Sequence, residues 1–268
     1  MTKSKLGYLY NWRKPAPVKT KFKKVAKFAA PVELPASIDL RSELGPVFDQ
    51  GQLGSCTANA LASAWNFLEI QDRKNKVAAG EVFDMSKFVS ASRLFIYYQE
   101  RSMEGTIDQD SGAELSDGAQ AMKVVGACDE TVWPYAPAKF NITPSNEAYQ
   151  EANKHQISDF AALSQDIESL KQCLAQGLPF VFGFQVYESF EDQAWWNSTN
   201  ALMPMPNVDS EQLLGGHAQI AVGYDDEKQA VLVMNSWGTS FCMGGFYWMP
   251  YALISNSNLA DECIVLSK

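Results

Sequence analysis

The distribution of helix-patterned and strand-patterned segments constrains the fold of this chain more than any other feature. Apolar residues recur at helical spacing at Ala60, Leu61, Ala64, Trp65 and Leu68, and again at Leu94, Phe95, Tyr97 and Tyr98. Helix-forming stretches continue as far as Gln176. After Gly177 the pattern changes. Residues 178–186 are aromatic and β-branched, residues 217–224 alternate, residues 225–228 form a polar turn, and residues 230–235 return as a hairpin partner. Helices gathered first and strands second predict an α+β fold with two lobes, because repeated βαβ units would scatter strands through the whole chain. With 268 residues, 46% of them hydrophobic, the chain is long enough for one large domain or two lobes sharing a cleft.

Helices are expected over residues 56–71 and 90–101, from a capping Ser116 to Gly126, over 145–156, and over 167–176, the last capped by Ser164 or Asp166 and closed by Gly177. Residues 73–80 read as a charged loop, Trp133-Pro134-Tyr135 as a packed corner, 195–209 as an irregular insertion and 246–249 as a strand. Residues 1–33 read as a basic, extended arm or short propeptide. Residues 34–268 read as the folded body, with a helical lobe over about 34–140 and a β-rich lobe over about 141–268.

The formal charge of −9 hides an asymmetry. Residues 1–32 carry nine lysines and arginines and no acid, which leaves 13 basic against 31 acidic residues in the remainder. A basic segment can bind nucleic acid or an anionic membrane, but this one has an acidic partner in its own chain, so docking across the body is the favoured expectation, with no nucleic acid and no membrane partner. No apolar run reaches the ~18 residues of a membrane span, and the first residues lack the apolar core of a signal peptide. The chain as written reads as soluble with its compartment open: secreted or periplasmic if a leader has been removed, cytoplasmic otherwise. Five irregularly spaced cysteines argue against a disulfide framework and against zinc, so no metal site is expected. If Cys56 is the unpaired thiol, Cys242 with Cys263 is the first pairing to test.

Chemistry concentrates at three separated points. Gln50 to Ala60 is a glycine-broken loop that delivers Cys56 onto the first turn of a helix, where unpaired N–H groups favour a thiolate. His217 opens one strand of the expected hairpin and Asn235 closes the other, which sets both side chains at one end of the sheet. An Asn carbonyl that fixes one imidazole nitrogen leaves the other free to take a proton from a thiol. Taken singly, each residue reads as structural. Together, in this order, they are the parts of a nucleophilic triad.

These motifs, Gln50 with Gly54-Ser55-Cys56, Gly216-His217-Ala218 and Asn235-Ser236-Trp237-Gly238, resemble the papain-like cysteine peptidases, most closely in look their prokaryotic members. The resemblance spans about residues 34–254. It implies a two-lobed papain-like fold, a helical N-terminal lobe and an antiparallel β-rich C-terminal lobe with the active-site cleft between them. It further implies Cys56 as nucleophile, His217 as base and later acid, Asn235 as orienting group and Gln50 as side-chain oxyanion donor, with Trp237 shielding the His–Asn contact. Gly112 and Ala113 fall where the family pairs its backbone with extended substrate. Departures are Thr57 where an aromatic is usual, Leu53 in place of a disulfide cysteine, Gly216 before the histidine, Ala113 in the glycine pair, and a Cys-to-His spacing beyond the usual ~130–150 residues. The insertion over 195–209 can absorb that excess.

The implied activity is hydrolysis of peptide or protein substrates through a Cys56 thioester, with no cofactor. Two alternatives share the fold: an amidase or acyl transferase, in which an amine captures the thioester, and a non-catalytic binding module on a retired scaffold. Side-chain preference, endo- or exopeptidase action and oligomeric state are not legible in the sequence.

Overall fold

The computed structural model describes residues 4, 5, 7–16, 33–80 and 88–268. Most of the arm beyond Ala16 therefore lies outside the described residues. In chain order the elements are β1 (Ser37–Asp39), α1 (Cys56–Ala78), α2 (Arg93–Glu104), α3 (Leu115–Val124), α4 (Asn146–Ala152), β2 (Asp159–Ala162), α5 (Ile167–Ala175), β3 (Phe180–Tyr187), α6 (Gln193–Trp196), β4 (Leu213–Asp225), β5 (Ala230–Met234), β6 (Phe246–Pro250), α7 (Tyr251–Ile254) and β7 (Ala260–Ser267).

Helix α1 is buried almost all round through its first turns, where alternating alanines let neighbours approach closely. It runs seven residues past the expected end. The stretch read as a charged loop continues the helix, because Glu69 with Arg73 and Asp72 with Lys76 pair at i,i+4 along its outer face. Helix α2 starts at Arg93, capped by Ser92, whose Oγ accepts from the Phe95 N–H at 3.1 Å. Ser145 and Asp166 cap α4 and α5 in the same way. Ser116 does not cap α3. The first N–H groups of that helix, those of Leu115 and Ser116, donate instead to the carboxylate of Glu262 at 2.9 Å each.

Among the described residues the strands form one seven-stranded sheet in the order β2-β7-β3-β4-β5-β6, with β1 added to β4, and every named pairing is antiparallel. Three strands escape the sequence reading: β1 and β2 are three and four residues long, and β7 carries Asp261 and Glu262 in its first half. The sheet is buried on both faces. Val181, Ile220, Val222, Leu232 and Ile264 pack against α1 and α3, while Phe180, Phe182, Phe184, Val231 and Val233 pack against α5 and the aromatic insertion. Burial on both sides explains why β3 reads as a continuous apolar run rather than an alternating one.

All five cysteines are free thiols. The Cys242–Cys263 bridge is therefore not formed; Cys263 points into the core beneath the insertion, and Cys242 sits half-buried at its margin. Among the described residues no helix is long and apolar enough to cross a membrane.

Candidate active site

Cys56 is the first residue of α1 and is fully buried. The loop before it is tied down from three sides. Both Asp110 carboxylate oxygens accept from the Gly54 N–H, at 3.0 and 3.1 Å. The Tyr135 hydroxyl donates to the Gln50 carbonyl at 2.9 Å and pairs with Ser55 Oγ at 2.6 Å. The Arg93 guanidinium lies over the rings of Phe48 and Tyr135, pairs with Glu130 at 2.7 Å, and donates to the Asp49 carbonyl at 3.0 Å. None of these three supports was singled out as functional from sequence. The packed corner at Trp133-Pro134-Tyr135 was the nearest signal, and its work is to hold this loop.

The Gln50 side chain is fully buried and its amide orientation is set by neighbours. Ser236 Oγ donates to Gln50 Oε1 at 2.7 Å, which turns Nε2 towards the Leu53 carbonyl at 3.1 Å and the Leu9 carbonyl at 3.5 Å. Backbone pairing also zips this loop to the segment after β5: Gln50 N donates to Ser236 O at 2.9 Å and Gly238 N to Phe48 O at 2.8 Å. Gln50, Cys56 and the Asn235–Trp237 segment are thus brought together although they belong to different halves of the chain.

His217 lies in the middle of β4, opposite Phe184 of β3, rather than at the strand's start. β4 runs past the end of β5, whose last residue Met234 pairs with Ile220, so Asn235 emerges beside His217. His217 Nε2 and Asn235 Oδ1 are 2.8 Å apart. Among the described residues the other ring nitrogen, Nδ1, has no hydrogen-bond partner, and the backbone N–H of the next residue, Ala218, faces the Cys56 sulfur. The Trp237 ring lies 5.5 Å from the His217 ring at 31°, and Trp237, His217 and Asn235 are all buried.

The cleft is filled by the chain's own arm. Trp12 N donates to Gly216 O at 2.8 Å and Arg13 N to Ala113 O at 3.1 Å, and both bridges are parallel. Ala113 therefore pairs its backbone with extended chain, here with residues 11–13, whereas the Gly112 N–H donates to the Tyr97 hydroxyl at 3.1 Å and Gly112 meets the arm by close approach. The approach is close enough to require glycine: a Cβ on Gly112 would fall 1.6 Å from the Asn11 carbonyl oxygen, and one on Gly183 1.9 Å from the Trp12 indole. Tyr8 stacks on Trp237 with centroids 4.5 Å apart, Tyr10 donates to Glu191 at 2.8 Å, and Trp12 Nε1 donates to Glu262 at 2.8 Å. Arg13 and Lys14 reach Glu104 and Asp261.

This covering sets the electrostatics. Burial pushes the Cys56 thiol up to about 11, although backbone N–H groups of Ala218, Asn11 and Thr57 pull the other way. Burial likewise drives the His217 imidazole down to about 4, opposed by its bond to Asn235. With the arm in place, thiol and imidazole are both neutral around pH 7.

The family description of papain family cysteine proteases matches residues 34–266. The chain belongs to the papain family of cysteine proteases. An uncharacterized peptidase C1-like protein of Acanthamoeba polyphaga mimivirus is 39% identical over 228 residues, covering 82% of this chain and 69% of the relative. Among solved structures, xylellain, a cysteine protease from Xylella fastidiosa, superposes with a TM-score of 0.84 at 36% identity, covering 100% of this chain and 98% of that one. A digestive procathepsin L2 proteinase from the Tenebrio molitor larval midgut shares the fold, with a TM-score of 0.70 at 20% identity, over 97% of this chain and 78% of the other. The two-lobed α+β papain fold and the cysteine peptidase class follow.

Proposed function

We propose that this peptidase cleaves peptide bonds with Cys56 as nucleophile, His217 as general base and acid, Asn235 as orienting group and Gln50 as oxyanion donor, and that residues 4–16 hold it inactive. The observation that carries the reading is the imidazole of His217, fixed through Nε2 on Asn235 with no partner on Nδ1 among the described residues, next in sequence to Ala218, whose backbone N–H faces the Cys56 sulfur. When the cleft opens, water reaches both groups and the proton moves from sulfur to Nδ1. The thiolate attacks the carbonyl carbon of an extended substrate paired to Gly112 and Ala113. Charge developing on the carbonyl oxygen is met by Gln50 Nε2 and the Cys56 N–H, and His217 returns its proton to the leaving amine. Water, activated by the same imidazole, then hydrolyses the thioester.

The arm presents a carbonyl, that of Leu9, to Gln50 Nε2, but sets the N–H of Asn11 rather than a carbonyl carbon against Cys56. It occupies the cleft without offering the sulfur an electrophile. Cleavage of a mixed peptide library by the full chain, by Cys56→Ala and by a chain lacking residues 1–33 tests both parts. Peptide products from the truncated chain, absent in the truncated Cys56→Ala protein, are expected. Products that form only with an added amine acceptor would make the enzyme an acyl transferase, and equal activity with and without the arm would remove its inhibitory role.

A further inference from the structure

Thr57, which stands where the family usually has an aromatic, is fully buried on the first turn of α1, and its hydroxyl donates to Glu100 Oε2 at 2.8 Å. Glu100 projects from α2 and is also fully buried, and among the described residues its Oε1 has no hydrogen-bond partner. The third side of this junction is closed by α3 at Gly118, where a Cβ would lie 2.5 Å from Glu100 Oε1 and 2.3 Å from Leu61 Cδ1. Among the described residues no cation hydrogen-bonds the carboxyl group. Arg101, next to it on α2, spends its guanidinium on the carbonyls of Tyr97, Ile107, Gln109 and Phe140.

The other titratable groups that face Glu100 are the acids Asp117 on α3 and Glu262 on β7, and Cys56 on α1 feels the carboxyl in turn. Burial is the largest influence on Glu100 and holds it well above the ordinary carboxyl range; the two acids add to that, while Thr57 and Arg101 oppose it. A carboxylate here would work against the Cys56 thiolate, because a negative charge behind the sulfur disfavours a second one on it.

We propose that the Thr57–Glu100 hydrogen bond is a positioning device for Cys56: a carboxyl group sealed into the junction of α1, α2 and α3 fastens the nucleophile's helix turn to α2 without setting a second negative charge behind the thiolate. The inference rests on the reading of Cys56 as nucleophile. Glu100 touches no substrate and acts only through Thr57 and the helix turn. A bulky indole at position 57 would serve the same end by filling volume; this chain uses a polar pair.

The test is iodoacetamide alkylation of Cys56, followed by mass spectrometry from pH 5 to 10, in the full chain carrying Trp12→Ala to open the cleft. Glu100→Gln keeps the acceptor oxygen and should leave the rate within about twofold and the titration midpoint in place. Thr57→Val should slow the plateau about tenfold and raise the midpoint, and Thr57→Ser should restore both, whereas a purely structural pair would change only the thermal midpoint. A midpoint lowered by about one unit in Glu100→Gln would mean that the carboxylate is charged in the working protein. That result, or a wild-type plateau and midpoint in Thr57→Val, overturns the proposal. The reaction needs no peptide substrate, so a chain that cleaves nothing would count against the proposed function while leaving this measurement intact.

Discussion

At the residue scale the site is governed by water. The thiol and imidazole are each displaced towards neutrality by the same cause, removal from solvent under Tyr10, Asn11 and Trp12. The sign of the pH dependence follows. With the thiol near 11 and the imidazole near 4, both are neutral between those values, so alkylation of the full chain should rise about tenfold per pH unit and level off only towards pH 11. Releasing the arm restores hydration, lowers the thiol and raises the imidazole, and each charge then stabilises the other. At pH 6.5 a chain lacking residues 1–33 should react at least about a hundredfold faster with iodoacetamide than the full chain. Superimposable pH profiles for the two chains would show that the arm does not control solvation of Cys56. Gln50→Ala in the truncated chain should lower kcat about 10²- to 10³-fold with KM little changed, as expected of a donor used chiefly in the transition state. Steady-state kinetics on a single peptide would reveal a role in ground-state binding instead, as a rise in KM at constant kcat.

At the element scale, part of this machinery was legible in the sequence and part was not, for identifiable reasons. Cys56 could be found because a glycine-broken loop before a small-residue helix leaves a local signature, and Asn235 because it ends a β-branched run. Helix α1 was cut short at Gln71 because its last turns are charged on every side; i,i+4 pairing keeps them helical, and that is visible only once the pairs are considered together. Strand β7 was missed because Glu262, a buried acid at φ 53°, breaks the apolar alternation. Its carboxylate is matched by N–H groups of α3, nearly 150 positions earlier in the chain, and no local pattern encodes such a partner. Strand β3, the partner of β7, carries a prediction. Gly183 of β3 touches the Trp12 indole, so Gly183→Ala should displace the arm and raise the alkylation rate of the full chain at neutral pH about tenfold or more, without adding to the rate of the truncated chain. An unchanged rate in the full chain would mean that the sheet yields and the indole stays.

At the scale of the whole molecule the arm is held by more than the charge its composition suggested. Lysines and arginines invite an electrostatic account, in which a basic segment lies on an acidic body. Among the described residues the ion pairs of Arg13 with Glu104 and Lys14 with Asp261 are joined by contacts of another kind: backbone pairing to Gly216 and Ala113, stacking of Tyr8 on Trp237, and buried hydrogen bonds from Tyr10 and Trp12 to Glu191 and Glu262. Buried bonds and aromatic packing are screened little by salt, whereas exposed ion pairs separated by more than the ~8 Å Debye length at physiological ionic strength are screened strongly. Raising salt from 0.1 to 0.5 M should therefore change the activity of the full chain by less than about threefold. Trp12→Ala removes a large buried side chain together with its hydrogen bond to Glu262, and should release the arm at either salt concentration. Tethering adds to this hold, since a short linked segment faces its site at an effective concentration of order millimolar. A free peptide of residues 4–16 should accordingly inhibit the truncated chain in trans, but only at concentrations well above those at which the tethered arm is already saturating. Activity of the full chain that climbed steeply with salt, while Trp12→Ala behaved like the wild type, would return the explanation to the lysines and to the part of the arm between residues 17 and 32.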